Sequence, residues 1–120
     1  MKNEIITFND PKSPIAEVFK TLRTNMQFMS NKEETLTLLV TSTVPGEGKS
    51  WVTSNLAVAF AQTGKKVVII DSDMRKGRLH NIFEIPIYPG LSNYLAETEE
   101  NNEIEKFICN SSRKCSAKSF

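Results

Sequence analysis

Thr41-Ser42-Thr43-Val44-Pro45-Gly46-Glu47-Gly48-Lys49-Ser50 is the stretch that decides the fold. Just upstream, residues 36–40 form a short apolar run that reads as a buried strand. Downstream, Val52, Leu56, Ala57, Phe60 and Ala61 recur at helical spacing, and Gly64 is placed to end that helix. A glycine loop between a strand and a helix is where a phosphate-binding loop belongs. Glycines let successive N–H groups turn toward an anion, and the helix N-terminus adds the positive end of its dipole. Pro45, Gly46, Glu47 and Gly48 would form the cradle. Lys49 would bring a mobile charge to the β/γ-phosphates, and the Ser50 hydroxyl would ligate Mg²⁺. Thr43 stands where the usual pattern has its first glycine.

A second β-branched run, residues 67–70, is entered from Lys65-Lys66 and left through Asp71-Ser72-Asp73. It reads as a fully buried parallel strand. Strand, loop, helix and strand in this rhythm make a right-handed βαβ unit, so the expected class is α/β, a parallel sheet flanked by helices. Ligands of such sheets bind at the carboxyl ends of the strands, where both the glycine loop and Asp71/Asp73 fall. Asp71 and Asp73 are candidates to hold Mg²⁺, directly or through water, and to accept a proton from an attacking hydroxyl. Capping of the next helix is the competing role, most of all for Asp73. Arg75, Lys76 and Arg78 follow, either as phosphate contacts or as a solvated helix face. Trp51 sits beside the loop, open to nucleotide contact or to core packing, the commoner fate of a Trp.

Ser13-Pro14 reads as an N-cap followed by proline at the first helical position. Ile15, Val18, Phe19, Leu22, Met26 and Met29 would form the buried face of that helix, which should end near Ser30-Asn31. Residues 1–12 are expected to be an extended arm. Short helices are expected over 75–84, from Gly90 onward, and over 102–108. Net charge is +1, which argues against nucleic acid as a partner. No apolar run approaches about 18 residues and no secretory leader is visible, so neither membrane insertion nor export is expected. Cys109 and Cys115 lack the spacing of a metal site. His80 reads as a surface helix residue. Residues 109–120 carry Arg113, Lys114 and Lys118, no acidic group and no periodicity. They read as a disordered or frameshifted tail, following a domain part over 13–108 that looks truncated.

Three motifs together resemble the bacterial tyrosine kinases, the autokinases of capsular and exopolysaccharide synthesis. Pro45-Gly46-Glu47-Gly48-Lys49-Ser50 is similar to their Walker A. Residues 67–75 are similar to their second Walker motif, A′. Glu17, Lys20 and Arg23, ahead of Thr24-Asn25, resemble their oligomerisation helix, with Lys20 in place of the middle arginine. A lysine there keeps the charge and loses the bidentate fork. The resemblance covers about residues 12–108. It implies a cytoplasmic P-loop kinase of the MinD/ParA-like superfamily that uses ATP and Mg²⁺. Lys49 would hold phosphates, Ser50 with Asp71 or Asp73 would organise the metal, and one aspartate would serve as base. It also implies a ring built through residues 17–25 and a membrane adaptor that activates the kinase.

The family's Walker B and its C-terminal tyrosine cluster have no counterpart here. Tyr88 and Tyr94 are the only tyrosines and read as structural. Little kinase activity is therefore expected from this polypeptide by itself. Two alternatives remain open: a MinD/ParA-type ATPase, and a non-catalytic nucleotide-binding or oligomerising fragment. The ATPases carry Lys-Gly where this chain has Val44-Pro45, which weighs against the first.

Overall fold

The computed structural model describes residues 3–30 and 35–96. They fall in two compact units, Asn3–Val67 and a second that starts at Val68. The expected 102–108 helix, the 109–120 tail and both cysteines lie outside the described residues.

The first unit holds α1 (Ile6–Asn9), α2 (Pro14–Met29) and α3 (Lys49–Ala61), each packed on the other two. The start of α2 follows its sequence signals. The Ser13 hydroxyl accepts from the Ala16 N–H at 3.1 Å, and Pro14 fills N1, where no amide partner is needed. Ser30 is the C-cap. Inside, Phe19, Leu56, Ala59 and Phe60 form the core, with Ile6, Leu22, Met26, Trp51 and Val52 against it. The buried stripe of α2 is narrower than its apolar spacing suggests. Ile15, Val18 and Met29 are exposed, Met29 by 87%. They fall to one side of the Ala16–Phe19–Met26 line that α1 and α3 cover.

The extended arm expected over residues 1–12 is not what forms. It contains α1, in which Thr7 is fully buried, as is Ile5 just before it. The cause is a buried polar network on α3. The Thr7 N–H donates to Asn55 Oδ1 at 3.0 Å. Asn55 Nδ2 donates to the Glu4 and Trp51 carbonyls at 3.0 and 2.9 Å. Gln62 Nε2 donates to the Thr7 carbonyl at 2.9 Å. Asn55 is itself fully buried. Every amide atom of its side chain therefore works where water cannot.

The parallel sheet is also corrected: no strand occurs among the described residues. Residues 35–42 and 65–73 run without regular structure. Leu39, Val68 and Ile70 are 88%, 56% and 63% exposed. A parallel strand exists only through ladder bonds to neighbours and needs both faces covered. Apolar β-branched composition supplies the propensity, not the neighbour.

The second unit contributes α4 (Leu79–Phe83) and α5 (Leu91–Ala96). α4 is shorter than the 75–84 expected, because residues 74–76 form a turn instead. Leu79 and Ile82 are its buried residues. His80 lies on α4, half-buried, and Tyr94 on α5.

Asn55→Ala should lower stability by about 1–3 kcal/mol, since it takes from the buried Thr7 N–H its acceptor. Urea unfolding reads the loss, and limited proteolysis should open the chain first around α1. An unchanged midpoint would show that the network carries no stability.

Candidate phosphate-binding site

The loop ahead of α3 has the backbone its glycines were expected to give. Gly46 and Gly48 adopt φ of 85° and 92°, left-handed values that cost other residues about 1 kcal/mol or more. Gly48 is the N-cap of α3, and no side chain caps that end. The first-turn amides of a 13-residue helix therefore start at the loop with no side-chain acceptor from the cap.

An open recess of about 420 Å³ lies here, lined by Val40, Thr41, Ser42, Thr43, Glu47, Lys49 and Val52. Lys49 Nζ donates to Ser42 Oγ at 2.6 Å, and Ser42 Oγ donates to the Val44 carbonyl at 2.8 Å. Glu47 Oε2 accepts from the Thr43 N–H at 3.1 Å and lies 3.5 Å from the Val44 nitrogen. Glu47 and Lys49 thus line the recess together, with Ser42 and the Thr43 amide as their partners. Sequence reasoning singled out neither Ser42 nor Thr43 for these contacts. A hydroxyl seven residues ahead of the lysine was the available signal. Ser50 lies in the first turn of α3, and its carbonyl accepts from Ser54 Oγ at 2.7 Å. Trp51 turns its ring edge-on to Phe19, with centroids 5.3 Å apart and planes at 66°. Pro45 and Gly46 form the turn between Val44 and Glu47.

Asp71, Asp73 and Arg75 belong to the second unit. Asp71 Oδ2 accepts from the Arg78 and Leu79 amides at 3.0 and 3.1 Å, and its Oδ1 from the Asp73 N–H at 3.1 Å. Arg78, the N-cap of α4, gives no side-chain capping bond, so Asp71 caps that helix from outside. Asp73 Oδ1 accepts from the Arg75 and Lys76 amides at 3.2 and 2.9 Å, an Asx turn. Capping, the competing role expected most of all for Asp73, is carried by Asp71 instead, while Asp73 closes the turn ahead of α4. Among the described residues no three His, Cys, Asp or Glu side chains converge as a protein-built metal cage would. Mg²⁺ does not need one: it takes one or two carboxylates, with waters and phosphates completing the shell.

On α2, Lys20 Nζ donates to Glu17 Oε1 and to the Pro11 carbonyl, both at 2.7 Å. Arg23 donates to the Ala59 carbonyl at 2.9 Å, one of the last carbonyls of α3. The basic residues expected to join subunits are thus engaged within their own unit.

A left-handed glycine loop, a lysine at its end and a helix starting from it define a nucleotide-phosphate site of the P-loop type. Residues 38–114 match the CobQ/CobB/MinD/ParA nucleotide binding domain, and the chain belongs to that family. It is 43% identical over 95 residues to the tyrosine-protein kinase YwqD of Bacillus subtilis, covering 79% of this chain and 40% of YwqD. It is 46% identical over 85 residues to the putative tyrosine-protein kinase CapB of Staphylococcus aureus, covering 71% of this chain and 37% of CapB. The crystal structure of the chimerical protein CapA2B2 is similar with a TM-score of 0.71 at 40% identity, over 82% of this chain and 44% of the chimera. The chain therefore spans about two-fifths of the length of these relatives. The P-loop NTPase class and the resemblance to tyrosine kinases both stand. No helix among the described residues is long and apolar enough to cross a membrane.

Gly77 supports the aspartate loop by having no side chain. A Cβ there would lie 2.9 Å from both Asp71 Oδ2 and the Asp73 carbonyl. Gly77→Ala should displace the Asp71 carboxylate from its amides and cost roughly 1–3 kcal/mol, read as a lower urea midpoint. Faster hydrogen exchange at the Arg78 and Leu79 amides would locate the change.

Proposed function

We propose that this chain carries the ATP-binding loop of a protein-tyrosine autokinase that serves capsular or exopolysaccharide synthesis. The observation behind this reading is the recess in which Lys49 stands at the end of a left-handed glycine loop, within a sequence over 40% identical to kinases. The cradle of Pro45, Gly46, Glu47 and Gly48 fits a polyphosphate because its two glycines free the backbone to face an anion. Lys49 binds the β/γ-phosphates and neutralises charge on the transferred group. Bound ATP supplies the phosphoryl group.

Ser50 fits Mg²⁺ by its hydroxyl, and Asp71 and Asp73 fit it by their carboxylates. Donor chemistry and the family resemblance support that assignment. One of the two aspartates serves as base on tyrosine, and Arg75 steadies phosphate. Val44-Pro45, in place of the Lys-Gly pair of the partitioning ATPases, favours the kinase over an ATPase switch. Self-association through residues 17–25, a membrane adaptor and a cytoplasmic site complete the reading. They rest on sequence pattern and resemblance.

ATP titration should give saturable binding, and Lys49→Ala should weaken it at least tenfold, in line with loss of a charge-assisted contact. Isothermal calorimetry with Mg²⁺ present reads both. The polypeptide alone should give little phosphotyrosine. A Lys49-dependent radiolabel signal on tyrosine would overturn that second expectation, and absence of ATP binding would overturn the first.

A further inference from the structure

We propose that Ser42 is the positioning residue of Lys49, a strut that holds the phosphate-binding amine across the mouth of the loop. This deepens the ATP-binding reading and rests on it for its functional consequence. Ser42 precedes the glycine loop and Lys49 ends it, so their bond spans the loop from side to side. A serine hydroxyl has one proton and two acceptor lone pairs. The Val44 carbonyl takes the proton at 2.8 Å, which fixes the rotor and leaves the lone pairs for Lys49 Nζ at 2.6 Å. The ammonium group has three donors. With one on Ser42, two remain for phosphate oxygens, so the strut does not have to break when a nucleotide arrives.

Lysine loses more rotamer freedom on ordering than almost any side chain. A lysine already held loses less of it on binding, which is preorganisation. Both partners are partly buried and both line the same recess. Charge assistance makes the bond one of the stronger kinds in the molecule. Among the described residues neither Glu47 nor a backbone carbonyl takes this role: Glu47 is turned to the Thr43 amide.

The test compares Ser42→Ala and Ser42→Thr with the parent chain. Carbon-13 relaxation at Lys49 Cε in the nucleotide-free chain reads ordering without any activity, with Lys49→Arg assigning the signal. Emission of Trp51, the only tryptophan, reads ATP binding. Ser42→Ala should release Lys49 to the mobility of a surface lysine and weaken ATP by about tenfold. Ser42→Thr should restore both. Ser42→Cys, near in size and a poor acceptor, should reproduce the loss if alanine disturbs the loop. The proposal is overturned if Lys49 stays as ordered in Ser42→Ala as in the parent. It is equally overturned if the parent binds ATP and Ser42→Ala binds within twofold. A parent that does not bind ATP, with Lys49 released in Ser42→Ala, would remove the nucleotide reading and support the strut.

Discussion

The amide of Asn55 is the constraint on which the first unit depends. It is fully buried on α3, and it ties that helix to the segment that contains α1. Apolar burial is non-directional, so by itself it specifies the orientation of α3 less tightly than a directional bond does. A buried amide is directional. Each of its polar atoms must find its partner, so it admits one arrangement. α3 begins at Lys49, so whatever fixes α3 fixes the loop end. Phe19 against Trp51 holds the N-terminal turn of the same helix, and Arg23 on the Ala59 carbonyl holds its other end.

Much of this was legible in the residues. Ser13-Pro14 specifies a helix start by local chemistry, and the structure starts α2 there. Gly46, Gly48 and Gly64 mark left-handed backbone, and all three adopt it. What depends on partners far along the chain was not legible. Thr7 and Asn55 are 48 residues apart, and neither residue type in isolation announces a buried pair. The apolar residues 36–40 and 67–70 carry strand propensity, but a ladder is a property of neighbours. Ile15 and Val18 show the same limit on a helix: spacing marks a broad apolar face, and packing selects a narrower stripe within it.

Asp71 and Asp73 show why site residues are harder to read than elements. Two carboxylates after an apolar run suggest metal or proton chemistry. The structure gives both of them structural work as acceptors of backbone amides. The two roles are compatible, because each carboxylate oxygen has more than one lone pair. Lys20 and Arg23 are similar: charged residues on a helix surface suggest a partner, and internal carbonyls already hold them.

Glu47 gives the loop a further property. Its carboxylate rests on the Thr43 amide, so the head of the loop already holds an anion of its own. Whatever external anion takes that amide exchanges with a tethered one rather than with water. Its net affinity is then a difference between two negative groups, one of them present at a high local concentration. Small, singly charged solutes gain little from such an exchange, whereas a polyphosphate that also reaches Lys49 gains the added attraction. The exchange therefore weighs valence and reach above charge alone.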